Sequence, residues 1–330
     1  MPKNNFINLP VPDLPSPRYV GRGYFSIAYY VFEPASGFGD GDEPVGDADV
    51  EEFDPVLEPD YFLESGYPEP SANKKPSAPQ QKTIVLCHGL AAGGLQFAND
   101  ARFFAKQGFR VIVPDLRAHG QSKIPELQEL SIDDFTIETL ANDLLAILDK
   151  EGVEQTHWVG NSLGGILALY ILGSDPGRIV DLVTFGASFT LQLPSFLIPA
   201  VKFASKFMRR KHQDEYIARI TTKNPDARAI IYQMLKTADR KSVYLIAQNL
   251  TNYDLSYNAF ESESAILMLR PQGDIMINQA QKESLEIMEQ KSNFFVKDIA
   301  NAGHCANLEQ PRIVREAILD FVGGGWIFAD

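Results

Sequence analysis

From Lys82 onward the chain alternates short apolar runs with amphipathic stretches: "KTIVLCHG", "LQFANDARFFAKQ", "FRVIVPD", "IETLANDLLAILDK", "THWVGNS", "LGGILALYIL" and "IVDLVTFGA". A run too short for a helix yet apolar throughout reads as a strand buried on both faces. Strands alternating with helices in this way fold as a mostly parallel sheet covered on both sides. The pattern resumes late, with "AILMLRP", a helix "INQAQKESLEIMEQ", "NFFVKDI" and a terminal helix "EQPRIVREAILDFV". Between the two blocks, residues 188–260 have helical periodicity and no clear strand. They are expected to form a helical lid inserted between core segments 81–187 and 261–330. Residues 1–33 read as an N-terminal arm followed by a hairpin in "RYVGRGYFSIAYYVFE".

Charge is distributed unevenly. Glu33 to Glu69 holds thirteen acidic residues and no Lys or Arg, which equals the whole net charge of −13. Residues 34–80 therefore read as an acidic, Pro/Gly-rich insertion that is largely irregular. Within it, Asp47, Asp49, Glu51 and Glu58 have a faint calcium-loop spacing. Glu52 stands where the sharp turn needs glycine and Pro55 occupies the ninth place, so a solvated acidic loop is the reading. By contrast, Lys202 to Lys241 carries eleven basic and four acidic residues. Global acidity argues against nonspecific nucleic-acid binding, while the basic stretch leaves room for an anionic ligand or surface.

In the first lid helix, Leu197, Ala200, Val201, Phe203, Ala204, Phe207 and Met208 share one face at about 100° per residue, and Lys202, Ser205, Lys206, Arg209 and Arg210 share the other. The apolar face is expected to dock on the body, with Val201, Phe203 and Phe207 over a substrate pocket. Attachment to a membrane surface through the basic lid is the competing use. No apolar run approaches the roughly 18 residues of a membrane span. Cys87 and Cys305 cannot build a disulfide framework, and "MPKNNFINLPVPDLP" has no apolar core of a secretion leader, so a cytoplasmic location is expected. No spacing suggests a metal site or a phosphate-cradling loop, and no cofactor is expected.

One stretch carries chemistry. "VGNSLGG" sets Ser162 between Gly160 and Gly164 where an apolar strand gives way to an apolar helix. A serine hydroxyl is a weak nucleophile that needs a base within hydrogen-bond reach and donors for the oxyanion it creates. The G-x-S-x-G elbow exposes that serine on a strained strand-to-helix turn, and its glycines remove side chains that would clash with neighbouring elements. Ser162, Asp274, His304 and the His88-Gly89 turn each follow an expected strand, and open α/β sheets build sites at the carboxyl ends of strands.

With "CHGL", "PDLRAHGQS", "GNSLGG", "RPQGD" and "NAGHCANLEQP" in this order over about 240 residues, the chain resembles the α/β-hydrolase superfamily, in its lid-bearing branch of esterases and C–C hydrolases. The resemblance implies a mostly parallel eight-stranded sheet with helices on both faces and an inserted helical lid. It makes Ser162 the nucleophile, Asp274 the acid and His304 the base. His119 is the competitor for the base, and Asp254, Glu261 and Glu263 for the acid. The oxyanion donors are expected from the N–H groups of Leu163 and Leu90, with Ala91 as the fallback for the second donor and a candidate substrate contact. The expected function is a cofactor-independent carboxylesterase or lactonase on a small to medium, partly apolar substrate. C–C hydrolysis of a vinylogous diketone is the alternative, although "HGLAAGG" lacks that group's Ser-Gly-Pro-Gly turn and "GHCANLE" its Trp. A non-catalytic ligand-binding receptor or scaffold is the alternative of another class. Epoxide hydrolases of this fold use Asp where Ser162 stands.

Overall fold

A computed structural model describes residues 5–35, 82–126, 129–194 and 196–324 of the protein. Strands β1 (Arg18–Arg22) and β2 (Phe25–Phe32) form the antiparallel hairpin expected near the N-terminus, turning at Gly23 with φ +60°. The alternation read from Lys82 then follows as β3 (Thr83–Cys87), α1 (Ala98–Lys106), β4 (Arg110–Pro114), α2 (Ile137–Lys150), β5 (Thr156–Asn161), α3 (Leu163–Ser174) and β6 (Ile179–Phe185). An inserted segment comes next: β7 (Thr190–Gln192), α4 (Leu197–Ser205), α5 (Arg210–Thr221), α6 (Pro225–Thr237), α7 (Arg240–Asn249), β8 (Asn252–Asp254) and α8 (Ser256–Glu261). The chain returns through β9 (Ala265–Pro271), α9 (Ile275–Ala280), α10 (Lys282–Met288), β10 (Phe294–Ile299), α11 (Ala306–Glu309) and α12 (Pro311–Val322).

The eight-stranded sheet has the order β1-β2-β4-β3-β5-β6-β9-β10, parallel from β4 to β10. Its apolar strands obey a period of two between two cores. Ile84 and Leu86 point to the layer of α1 and α12, where Phe104, Val314 and Phe321 wait. Val85 and Cys87 point to the layer of α2 and α3, against Leu144 and Leu167. Burial on both faces is why these strands read as unbroken apolar runs. From β3 the chain moves outward to β4, then crosses back to β5 on the other side of β3. The β3/β5 boundary is therefore the topological switch point, where the carboxyl-end loops diverge and leave a crevice.

Two expectations need correction or delimitation. The 188–260 segment does contain strands: β7 and β8 pair antiparallel, Leu191 opposite Tyr253, and tie the two roots of the insertion together. Three-residue strands are too short to leave a periodic signature in the sequence. The acidic segment, with its faint calcium-loop spacing, lies outside the described residues. What is described is that β2 runs antiparallel to β4 while β3 runs parallel to it, so β2 ends and β3 begins at the sheet edge away from the carboxyl end of β5.

Candidate active site

Ser162 occupies the turn between β5 and α3 with φ 52° and ψ −117°, a conformation that a residue bearing a Cβ rarely adopts. The surrounding glycines make the turn fit. A Cβ on Gly160 would lie 2.5 Å from the Gly164 carbonyl carbon, one on Gly164 would lie 2.2 Å from the Cys87 carbonyl oxygen, and one on Gly165 would lie 2.2 Å from Thr184 Oγ1. Helix α3 thus starts pressed against β3, β5 and β6 at once. The Ser162 N–H donates to the Phe185 carbonyl at 2.8 Å, fixing the elbow to β6.

Asp274 follows β9 through a turn in which the Gly273 N–H donates to the Ala302 carbonyl at 2.8 Å. That bond joins the turn to the loop carrying His304, whose Nδ1 lies 2.8 Å from Asp274 Oδ2. Asp274 is buried, whereas the His304 side chain keeps 32% of its surface in solvent. Gly186, at φ +64°, seats that ring: a Cβ there would come within 3.0 Å of His304 Nδ1. On the opposite flank, a Cβ on Gly89 would be 3.0 Å from Ser162 Cβ. The turns after β3, β5, β6, β9 and β10 therefore converge on one place.

Leu163 is the first residue of α3, so its N–H has no carbonyl four residues back within the helix and sits at the positive end of the helix dipole. Ala91 does not keep its amide for a ligand. Its N–H donates to His119 Nε2 at 3.0 Å, which removes Ala91 as the fallback donor and leaves Leu90 in that turn. His119 and His88 are both structural. His119 Nδ1–H donates to the Arg117 carbonyl at 2.9 Å, and His88 donates to the Gly89 carbonyl at 2.7 Å while accepting the Leu116 N–H at 3.0 Å. Each ring needs one acceptor and one donor nitrogen, so each is held neutral, and burial lowers His88 to about 4 and His119 to about 3. His157 pairs with Asp181 at 2.7 Å at the start of β5. Of the competing carboxylates, Asp254 accepts the Ser256 N–H at 2.9 Å, and Glu261 and Glu263 line a surface cavity beside Gly173. Burial pushes both thiols up, Cys305 to about 12.

Sequence reasoning missed the polar chain that backs the elbow. Asn161 Nδ2 donates to the His304 carbonyl at 2.9 Å and to the Phe185 carbonyl at 3.1 Å, and its Oδ1 accepts from Gln96 at 2.9 Å. Gln96 also donates to Asn307, which reaches Asp100, and Asp100 accepts from Arg315. The signal was available: Asn at the end of a buried strand and Asn two residues after "HC" each carry a buried amide that needs partners.

Val201, Phe203 and Phe207 are not where the sequence put them. They are 52%, 62% and 79% exposed, so the docking of this apolar face on the body is not what the described residues show. Helix α4 leans on α7 with its polar side instead: Tyr244 O–H donates to Ser205 Oγ at 2.8 Å, and Lys202 Nζ lies 5.6 Å from the centre of the Tyr244 ring.

The model of the alpha/beta hydrolase fold family matches residues 82–311. The chain belongs to that family. Among curated relatives, epoxide hydrolase 2 of Siraitia grosvenorii is 28% identical over 133 residues, 40% of this chain and 39% of that protein. The 2-hydroxy-6-oxononadienedioate/2-hydroxy-6-oxononatrienedioate hydrolase of Paraburkholderia phymatum is 24% identical over 74% of this chain and 88% of its own length. The chain thus spans about two fifths of the first of these relatives and most of the second. Among solved structures, the enol-lactonase of Burkholderia xenovorans LB400 superposes with a TM-score of 0.69 at 17% identity, covering 93% of this chain and all of that one. Such a likeness establishes the shared alpha/beta hydrolase fold.

Proposed function

We propose that the protein is a serine hydrolase that cleaves carboxylic esters or lactones through an acyl-enzyme. Ser162 Oγ attacks the carbonyl carbon while His304 Nε2 takes its proton, and Asp274 holds the Nδ1–H so that Nε2 faces the serine. The oxyanion is received by the N–H groups of Leu163 and Leu90, where losing one donor costs about 2.7–4 kcal/mol. The proton passes to the departing alkoxide. Water, deprotonated by the same imidazole, then attacks the acyl-enzyme and releases the acid. The observation that carries this reading is His304, bonded to Asp274 at 2.8 Å and tied through its carbonyl to Asn161, the residue next to the strained, glycine-flanked Ser162. The free, buried Cys87 and Cys305 suit a reducing, cytoplasmic setting.

Likeness to epoxide hydrolases does not transfer the reaction, because ring opening in that group uses a carboxylate nucleophile where this chain has Ser162. A second reading, C–C hydrolysis of a vinylogous diketone, is favoured by the relative from Paraburkholderia phymatum, which spans most of both chains. Labelling with a fluorophosphonate, located by mass spectrometry, tests the nucleophile; absence of the adduct at Ser162 leaves a binding protein. Turnover of p-nitrophenyl esters of increasing length, lactones and a vinylogous diketone then decides between the two hydrolytic readings.

A further inference from the structure

Helix α4 and the turn that leads from it to α5 present apolar side chains that the described residues leave exposed. Phe196 is 69% exposed, and Val201, Phe203, Phe207 and Met208 are also open to solvent. The rings of Phe203 and Phe207 meet edge to face with centroids 5.4 Å apart, so these two present one joint aromatic surface. Contiguous exposed aromatics of this kind mark a contact surface. Basic groups border them: Lys202 and Lys206 on one side, Arg209, Arg210 and Lys211 just beyond. Arg210 and Lys211 answer to Asp214 and Glu215, whereas Lys206 and Arg209 have no carboxylate partner among the described residues.

An occupant must therefore accept phenyl rings and offer negative charge at the rim. A second copy of the chain meeting this face symmetrically would bring two basic rims together. A bilayer bearing anionic headgroups satisfies both demands, with the rings in the acyl boundary and the long basic side chains reaching phosphate oxygens. Within the inserted segment, Lys202 to Lys241 carries eleven basic and four acidic residues, so the positive charge is concentrated around this face. We infer that the α4–α5 turn docks the protein on the surface of an anionic phospholipid bilayer. No helix among the described residues is long and apolar enough to cross a membrane, so this is adsorption rather than insertion of a span. Helix α5 runs from the docking turn to the site, ending where the Thr221 carbonyl would meet a Gly303 Cβ at 3.4 Å, next to His304.

The test is flotation of the full chain with phosphatidylcholine vesicles, with and without phosphatidylglycerol. Co-flotation with the anionic vesicles is expected, weakening as salt rises. The pair Lys206→Glu with Arg209→Glu should lower vesicle affinity about tenfold or more, and so should Phe203→Ser with Phe207→Ser; circular dichroism confirms that both pairs remain folded. Because Cys87 and Cys305 are buried, Met208→Cys can be labelled selectively with a polarity-sensitive dye, whose emission should shift to the blue on anionic vesicles. Failure to float with them, or equal affinity for pure phosphatidylcholine, overturns the inference. So does a dimer in light scattering that both substitution pairs dissolve, which would give the face to a second copy. All readouts are of binding, so they stand or fall apart from the hydrolase reading.

Discussion

Helix α12 buries Val314, Ala317, Ile318 and Phe321 against the sheet, whereas α4, which is apolar over most of its length and also amphipathic, leaves Val201 and Phe203 in solvent. Amphipathic periodicity defines a face but not what covers it. For α12 the partner is dictated within the chain: strands apolar on both faces need a layer on each side, and Val111, Val183 and Leu267 supply the matching surface. For α4 the apolar positions stay exposed, and the contact is made by Ser205 and the Lys202 ammonium on Tyr244. An inserted helix can thus invert the expected orientation.

The largest effect expected from breaking this contrast lies at the elbow, the most over-determined part of the sheet region. Ser162→Ala should lower turnover on the order of 10⁶-fold, because in the proposed mechanism both chemical steps pass through that oxygen. It should leave the denaturation midpoint near wild type, since Ala removes only the hydroxyl. Substantial residual turnover of the best ester or lactone would remove Ser162 from the mechanism.

Next in size is the covered helix itself. Phe321→Ala removes a ring that is 5% exposed between α12 and the sheet. A loss of about 3–5 kcal/mol in denaturant unfolding is expected from the transfer and cavity contributions together. A loss under about 1 kcal/mol would mean that α12 is no better covered than α4, and the comparison would collapse.

A smaller effect depends on pH. His119 and His88 are neutral in the fold, with values lowered by burial from 6.5 to about 3 and about 4. A folded value below the unfolded one means that the unfolded chain binds more protons as pH falls. The stability from each ring is therefore complete above pH 6.5 and declines toward pH 4, by about 1.4 kcal/mol per pH unit per histidine. Asp100 and Asp115, raised by burial, act in the opposite sense, so the total slope is not that of the histidines alone. His119→Gln keeps an acceptor for Ala91 without a titrating ring, and its midpoint should fall less steeply than wild type between pH 6.5 and 4. Parallel slopes would show that His119 is already charged in the fold.

How much of this was legible in the sequence follows the same division. The strand-helix alternation, the hairpin, the glycine elbow and the approach of Asp274 to His304 were readable because each rests on local pattern or on strand order. Asn161, Gln96 and Asn307 were not read, since a hydrogen-bonded chain between residues up to 211 positions apart has no sequence period. Nothing local excludes Ala91 as the fallback donor behind Leu90; the His119 ring that takes its N–H comes from 28 residues further along the chain. The stretch "INQAQKESLEIMEQ" read as one helix, but it breaks at Gln281, whose side chain turns inward to the Ala187 carbonyl. Such tertiary bonds override a periodic signal.

The smallest expected effect is the sharpest test of the comparison. Phe207 lies past the end of α4, is 79% exposed, and touches Phe203 edge to face. Phe207→Ala deletes a ring of the same size as Phe321, yet a side chain that stays in water on folding returns little burial energy when removed. Loss of the exposed aromatic pair sets the ceiling. The unfolding free energy should change by no more than about 0.5 kcal/mol, the usual range for a surface substitution. The same change, read by vesicle flotation, should be clearly visible, because there the ring acts on a partner outside the chain. A loss of about 2 kcal/mol or more in unfolding, with flotation unchanged, would mean that the ring is covered within the folded chain in solution. Helices α4 and α12 would then differ in degree of burial rather than in kind.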